Sequence, residues 1–168
     1  ESGRGEIPRE KKLYSWTKPK RPILAKDIYE IDERINKFEK IEKSINIIYL
    51  NKLIKHLVKE KYLSIAIVFI HSYLNSNNEK IISKELKNHF SKISISSEVL
   101  PIFREYERTS VTVLNALIQP IVGNYIEKIT SKMKELQINS PLFIMKSNGG
   151  VYPPDEAKNF GIHMALSG

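Results

Sequence analysis

A chain of 168 residues with 41% hydrophobic and 27% charged residues has material for one ordinary core and a well-wetted surface. It has no cysteine, which excludes disulfide and thiolate chemistry, and no apolar run near the roughly 18 residues a membrane span needs. The net charge of +8 would suit an acidic partner, yet the lysines alternate with glutamate, as in Lys37–Lys43 and Lys52–Lys61, and no aromatic-plus-basic motif accompanies them, so neither nucleic acid nor membrane is expected as a partner.

The first residues, Glu1–Glu6, lack the apolar stretch of a signal peptide, so a cytoplasmic location is expected. Residues 1–22 carry Gly3, Gly5, Pro8, Pro19 and Pro22 among Lys and Arg, a composition for an ordered loop pinned by Tyr14 and Trp16. From Ile23 to Ile45 an imperfect alternation predicts a β-rich stretch, a hairpin being one form of it, although Lys37–Lys43 would also make a helix turn. Asn46–Tyr62 places Ile47, Leu50, Leu53, Ile54, Leu57 and Val58 at helical spacing behind an Asn46 or Ser44 cap. Leu63–Ile70 is a short β-branched run of the kind buried on both faces of a sheet, and it ends at His71-Ser72-Tyr73. A second helix follows over Asn78–Phe90, then a strand at Ile93–Ser97.

Arg104, Glu105, Glu107 and Arg108 form a charge-dense run ahead of a long helical pattern, Thr109–Leu136. Its apolar side is predicted to be Val113, Leu117, Ile121, Ile126, Ile129, Met133 and Leu136, with Pro120 and Gly123 bending or breaking it. Pro141–Lys146 reads as a third strand leading into Ser147-Asn148-Gly149-Gly150, and Pro153-Pro154-Asp155 starts a short helical turn. The chain stops at Leu166-Ser167-Gly168 without a closing element, so a piece of a longer protein is expected. Strand, helix, strand, long helix, strand predicts a single α/β domain over residues 1–168 with a mainly parallel sheet and flanking helices.

Ligands in such sheets sit at the C-terminal ends of strands, which singles out His71-Ser72 and Ser147–Gly150. Glycines at Gly149 and Gly150 let backbone approach a ligand, and Ser147 and Asn148 add hydrogen-bonding groups, although an ordinary strand-to-helix turn needs nothing more. Arg108 has the fork to hold an anion bidentately, and Glu107 or Glu105 has the carboxylate for a base or a metal; a solvated, ion-paired helix start uses the same residues. His71 is a candidate acid or base against the commoner structural histidine, while His56, His89 and His163 are given no role. No histidine pair has metal-ligand spacing.

Several segments in order carry a resemblance. Glu1–Arg4 resembles an "EIGR" element with Ser2 in place of Ile, Phe69–Tyr73 resembles "FLHSY", and Ser96–Ala116 resembles "SSEVLPEIREYERTSTTVLNA". Met145–Val151 resembles a "QSNGG" strand end, and Ala165–Gly168 the start of "LSGPAGG". These segments are similar to the hydantoinase A / 5-oxoprolinase family, to which the acetone carboxylase beta subunit is related. Departures are Ile102 and Phe103, where the pattern has Glu and Ile, and Lys146, where it often has Gln.

The resemblance implies a piece of a two-domain, ribonuclease-H-like or actin-like ATPase that opens a cyclic amide such as hydantoin, N-methylhydantoin or 5-oxoproline. The implied cofactors are ATP and Mg2+ or Mn2+, with the main phosphate loops outside this chain, so the isolated piece is expected to be inactive. It implies substrate contacts at Arg4, Arg108 and Ser147–Gly150, and nucleotide contacts at Ser167 and Gly168. A hydantoinase B-type subunit and homo-oligomerisation are implied as well. A ketone carboxylase subunit, a sugar-kinase-like phosphotransferase and a non-catalytic assembly domain are the alternatives.

Overall fold

The structure is a computed structural model that describes residues 22–165. The expected loop around Tyr14 and Trp16, and the sites expected at Arg4, Ser167 and Gly168, lie outside the described residues.

A 3₁₀ turn at Ala25–Asp27 precedes a hairpin of β1 (Arg34–Ile35) and β2 (Ile41–Lys43), which pair antiparallel. Asn36 builds its turn: the side-chain oxygen accepts from the N–H groups of Phe38 and Lys40 at 2.8 and 3.1 Å, the local bonding that makes asparagine a turn residue. The hairpin expected between residues 23 and 45 is therefore present, shorter than the alternation that announced it.

Helix α1 (Ile47–Lys59) starts as predicted, with the Asn46 side chain accepting from Tyr49 N at 3.0 Å. It buries Leu50, Leu53, Ile54 and Leu57, spaced to fall on one face. Those four join Ile45, Ile67, Ile82, Leu86 and Phe90 in the main apolar core. Each contributes about 1.5–3 kcal/mol by leaving water. At the edge of this core Tyr62 hydrogen-bonds Tyr29 and Asp27 at 2.9 and 2.8 Å, and these bonds push its phenol well above the usual range.

Strand β3 (Ile65–Ile67) runs parallel to β4 (Ile93–Ile95), in register Ile65↔Ile93 and Ile67↔Ile95, with α2 (Asn77–Leu86) between them in the chain. This βαβ unit is the parallel element that the pattern predicted. The strand is less enclosed than expected for one buried on both faces: Ile67 is buried, whereas Leu63 before it is 79% exposed and Ile70 after it 52%. Hydrophobic content marks where a strand runs; it does not say how many faces are covered.

A single turn of helix, α3 (Ser96–Val99), follows β4 directly, and α4 (Glu105–Glu135) then runs for 31 residues. Two expectations about α4 are corrected. The expected break at Pro120 is absent: the helix is continuous through it, because contacts on both sides of the proline outweigh the bond that it cannot donate. Its buried stripe is only partly the expected apolar one: Ile126 is buried and Val113, Ile129 and Met133 are half-buried, but Leu117, Ile121 and Leu136 are exposed, and Arg108, Thr112, Asn115, Ala116, Gln119 and Gly123 take the other buried positions. The buried spacing is as helical as the apolar one, and polar partners on β4 and α5 decide between them.

The third expected strand is corrected too. Strand β5 (Ile144–Met145) pairs antiparallel with β6 (Val151–Tyr152), so Ser147–Gly150 closes a hairpin and does not lead from a strand into a helix. Helix α5 (Pro154–Asn159) and a 3₁₀ turn at Gly161–Met164 return the chain to α4. Asn115 fastens them there, donating to Ser94 Oγ and Asn159 O at 2.8 Å each and accepting from Ile162 N at 3.0 Å. The described residues are thus a mixed α/β fold with one parallel pair and two antiparallel pairs, rather than a mainly parallel sheet.

Candidate functional site

Two places carry the polar chemistry, and the first is the C-terminal end of the β3–β4 pair. Arg108 is fully buried and reaches across from the first turns of α4. Its Nη2 donates to the carbonyls of Phe69 and Ile70 at 2.7 and 2.6 Å, and its Nη1 donates to the Ser72 hydroxyl. The guanidinium also lies 5.5 Å from the Tyr73 ring centre, within cation–π range. The fork expected to grip a ligand anion lies here on the chain's own oxygens.

Glu79, also fully buried, is the balancing charge. Its Oε1 accepts from Phe69 N at 3.0 Å and from Ser96 Oγ at 2.6 Å, and its Oε2 from Ser97 N at 3.0 Å, so one carboxylate ties the exits of both strands. Guanidinium and carboxylate are joined through hydroxyls. The Ser72 hydrogen can go to Phe69 O at 2.9 Å or to Ser96 Oγ at 3.0 Å. One orientation of the Ser72 hydroxyl completes a directed run from Arg108 through Ser72 and Ser96 to Glu79; the other gives Phe69 O a second donor beside Arg108. Burial pushes the guanidinium below its usual range, and the negative charge of Glu79 opposes that shift.

This corner presents His71. Its ring is half-buried, its Nδ1 is enclosed without a hydrogen-bond partner, and it packs at 6.2 Å against Tyr73. Arg108 Nε and Ser97 Oγ are also enclosed and unpartnered at this end of the pair. Glu107, the other catalytic candidate, is exposed at the helix start and sits 3.4 Å from Arg104 in a surface ion pair.

The second place is the β5–β6 hairpin. Gly149 N donates to Lys146 O at 3.0 Å, Lys146 N donates to Gly150 O at 2.7 Å, and Gly149 has φ +89°. This is a type I turn closed by a bulge whose last position needs the left-handed backbone that glycine adopts without strain. Ser147 spends both of its donors on one acceptor: its N and Oγ bond His163 O at 2.7 and 2.8 Å. Asn148 and Gly149 remain exposed at the tip, and the Lys146 ammonium lies 4.6 Å over the Tyr152 ring.

His56 bonds Tyr29 at 3.1 Å and His89 is exposed, so neither joins these places. Among the described residues no three His, Cys, Asp or Glu groups converge as a metal site, so a divalent ion finds no ready cradle within them. Glu79 escaped the sequence reading, although it shares a helix face with Ile82 and Leu86, where a charge requires a buried partner.

The described residues form a mixed α/β unit with a short parallel pair and polar groups gathered at its C-terminal end. Its fold is similar to part of the crystal structure of ATP-dependent caprolactamase from Pseudomonas jessenii, with TM-score 0.68 and 27% identity over 79% of this chain and 20% of that one. A nucleotide-free acetone carboxylase structure matches at TM-score 0.67 and 21% identity, over 82% of this chain and 20% of that one. The hydantoinase/oxoprolinase N-terminal region matches residues 4–90 and the hydantoinase/oxoprolinase region matches residues 108–168.

The chain belongs to the hydantoinase/oxoprolinase family. An uncharacterised protein of Methanocaldococcus jannaschii is 37% identical over 90% of this chain and 22% of its own length. The caprolactamase subunit alpha of Pseudomonas jessenii is 33% identical over 62% of this chain and 15% of its own. The 5-oxoprolinase of Saccharomyces cerevisiae is 30% identical over 71% and 9%. The chain thus spans less than a quarter of the length of each of these relatives.

Proposed function

We propose that this chain is part of an ATP-dependent cyclic amidase, acting on a hydantoin, 5-oxoproline or a related lactam. The observation that carries the reading is membership of a family whose relatives include a 5-oxoprolinase and an ATP-dependent caprolactamase. An amide carbonyl is a poor electrophile. Transfer of the ATP γ-phosphoryl group to its oxygen makes an imidate ester; water adds to the carbon, the ring nitrogen leaves as the amine, and hydrolysis of the acyl phosphate frees carboxylate and phosphate. ATP with Mg2+ or Mn2+ supplies the phosphoryl group. The fold that would bring it is the actin-like, two-domain ATPase arrangement, with further phosphate loops beyond these residues and Ser167 and Gly168 at the edge of one.

Within this chain the corner and the hairpin divide the work. Arg108 contributes to substrate binding by holding the Phe69–Ser72 backbone, which presents His71, the catalytic candidate, whose Nδ1 has no hydrogen-bond partner. Asn148, Gly149 and Gly150 contact the amide or its carboxylate product, together with Arg4, while Ser147 sets the loop. The whole enzyme works in the cytoplasm as a homo-oligomer with a B-type subunit. The test is ADP release by the whole protein, alone and with that subunit, in the presence of hydantoin, 5-oxoproline, caprolactam, or acetone with bicarbonate. Stimulation by a cyclic amide is the expected result; stimulation by acetone alone, or by none, overturns the reading.

A further inference from the structure

His163 has no sequence signature of function, yet it touches both places. It lies in the last 3₁₀ turn, and its carbonyl receives both donors of Ser147. Its ring faces the other way: Nε2 is 3.2 Å from Val99 O, and Nδ1 is 3.4 Å from the Tyr152 hydroxyl. A carbonyl only accepts, so Nε2 carries the hydrogen, and Nδ1 accepts from Tyr152. Val99 ends the α3 turn whose Ser96 and Ser97 are held by Glu79. Tyr152 and Phe160 pack against the imidazole at 6.1 and 5.9 Å, which fixes its plane.

We infer that His163 is a positioning residue that sets the Ser147–Gly150 loop against the C-terminal end of β4. The sequence of contacts is short. Glu79 fixes Ser97, α3 carries Val99, the imidazole grips Val99 O, and the same residue's carbonyl holds Ser147 by two bonds. A loop with an exposed tip needs such an anchor if it is to meet a ligand in one geometry, since orientation lost at the loop is paid as weaker binding. The inference rests on the proposal that this loop meets the cyclic amide.

The amide of a glutamine reaches nearly the place of imidazole Nε2, whereas that of an asparagine stops near Nδ1. His163→Gln therefore keeps the donor to Val99 O, and His163→Asn removes it. In the whole protein, hydrogen exchange of peptide 145–152 is expected to rise about tenfold in His163→Asn and to stay within about twofold of wild type in His163→Gln. KM for the cyclic amide should follow the same order, with kcat and KM for ATP nearly unmoved. Should His163→Asn fail to fold, Tyr152→Phe removes the second ring bond alone and should raise exchange about threefold.

Equal exchange in wild type and all variants overturns the anchor. Exchange that follows the order while KM for the amide stays fixed overturns the positioning role and, separately, the proposal that the loop touches substrate. Absence of amide-stimulated ADP release in the wild type overturns the proposed activity, and the exchange comparison still decides whether His163 holds the loop.

Discussion

The corner of β3 and β4 and the β5–β6 hairpin are both polar, and they are built in opposite ways. At the corner a full positive and a full negative charge lie inside the protein, and the groups that satisfy them are backbone atoms and two serine hydroxyls. At the hairpin the tip is exposed, and the fixing comes from outside it, through one carbonyl and one imidazole. Burial makes the first arrangement costly to disturb, because a charge stripped of its partner stays in a poor solvent. The second costs less to disturb, because its tip is solvated and only the few bonds at its base hold it.

The largest effect should come from removing the cation. Arg108→Ala leaves Glu79 unbalanced and two carbonyls unserved, and a loss of about 3–5 kcal/mol in urea denaturation is expected. A loss under about 1 kcal/mol would mean that water replaces the guanidinium and that the corner is not a tightly enclosed unit. Glu79→Gln comes next. It preserves shape but turns one acceptor into a donor facing Ser97 N or Phe69 N, with about 2–3 kcal/mol expected from the same measurement.

At the hairpin the numbers fall. Gly149→Ala meets open space, so its cost is the left-handed backbone alone, about 1 kcal/mol by thermal unfolding. Its effect on KM for a cyclic amide should exceed its effect on stability. The smallest change is expected at the surface pair beside the corner: Glu107→Gln breaks a solvated contact with Arg104 and should shift stability by less than about 0.5 kcal/mol. A large loss of activity there, with stability intact, would restore Glu107 as the catalytic carboxylate in place of His71.

The legibility of these features in the sequence follows from their physics. Helix α1 was readable because its cap at Asn46 and its face of Leu50, Leu53, Ile54 and Leu57 agree, so local and tertiary preferences coincide. The face of α4 was not, since hydrophobic periodicity selects Leu117 and Ile121, and the buried Arg108, Thr112, Asn115 and Gln119 follow an equally regular polar period. Two-residue strands such as β5 and β6 are too short to show alternation, so the hairpin looked like a strand entering a helix. The glycine pair at Gly149 and Gly150 still marked the turn. His163 was invisible because its grip on Ser147 uses a backbone carbonyl, which every residue has.

The contrast between a buried corner and a solvated hairpin is tested most directly by residue-resolved hydrogen exchange on the folded whole protein. The amides of Phe69 and Ser97, both bonded to the buried Glu79 carboxylate, should exchange at least about a hundredfold more slowly than the amide of Gly149 in the exposed turn. Comparable rates at the three positions would contradict the account, showing that the charges at the strand ends stabilise no more than the loop does.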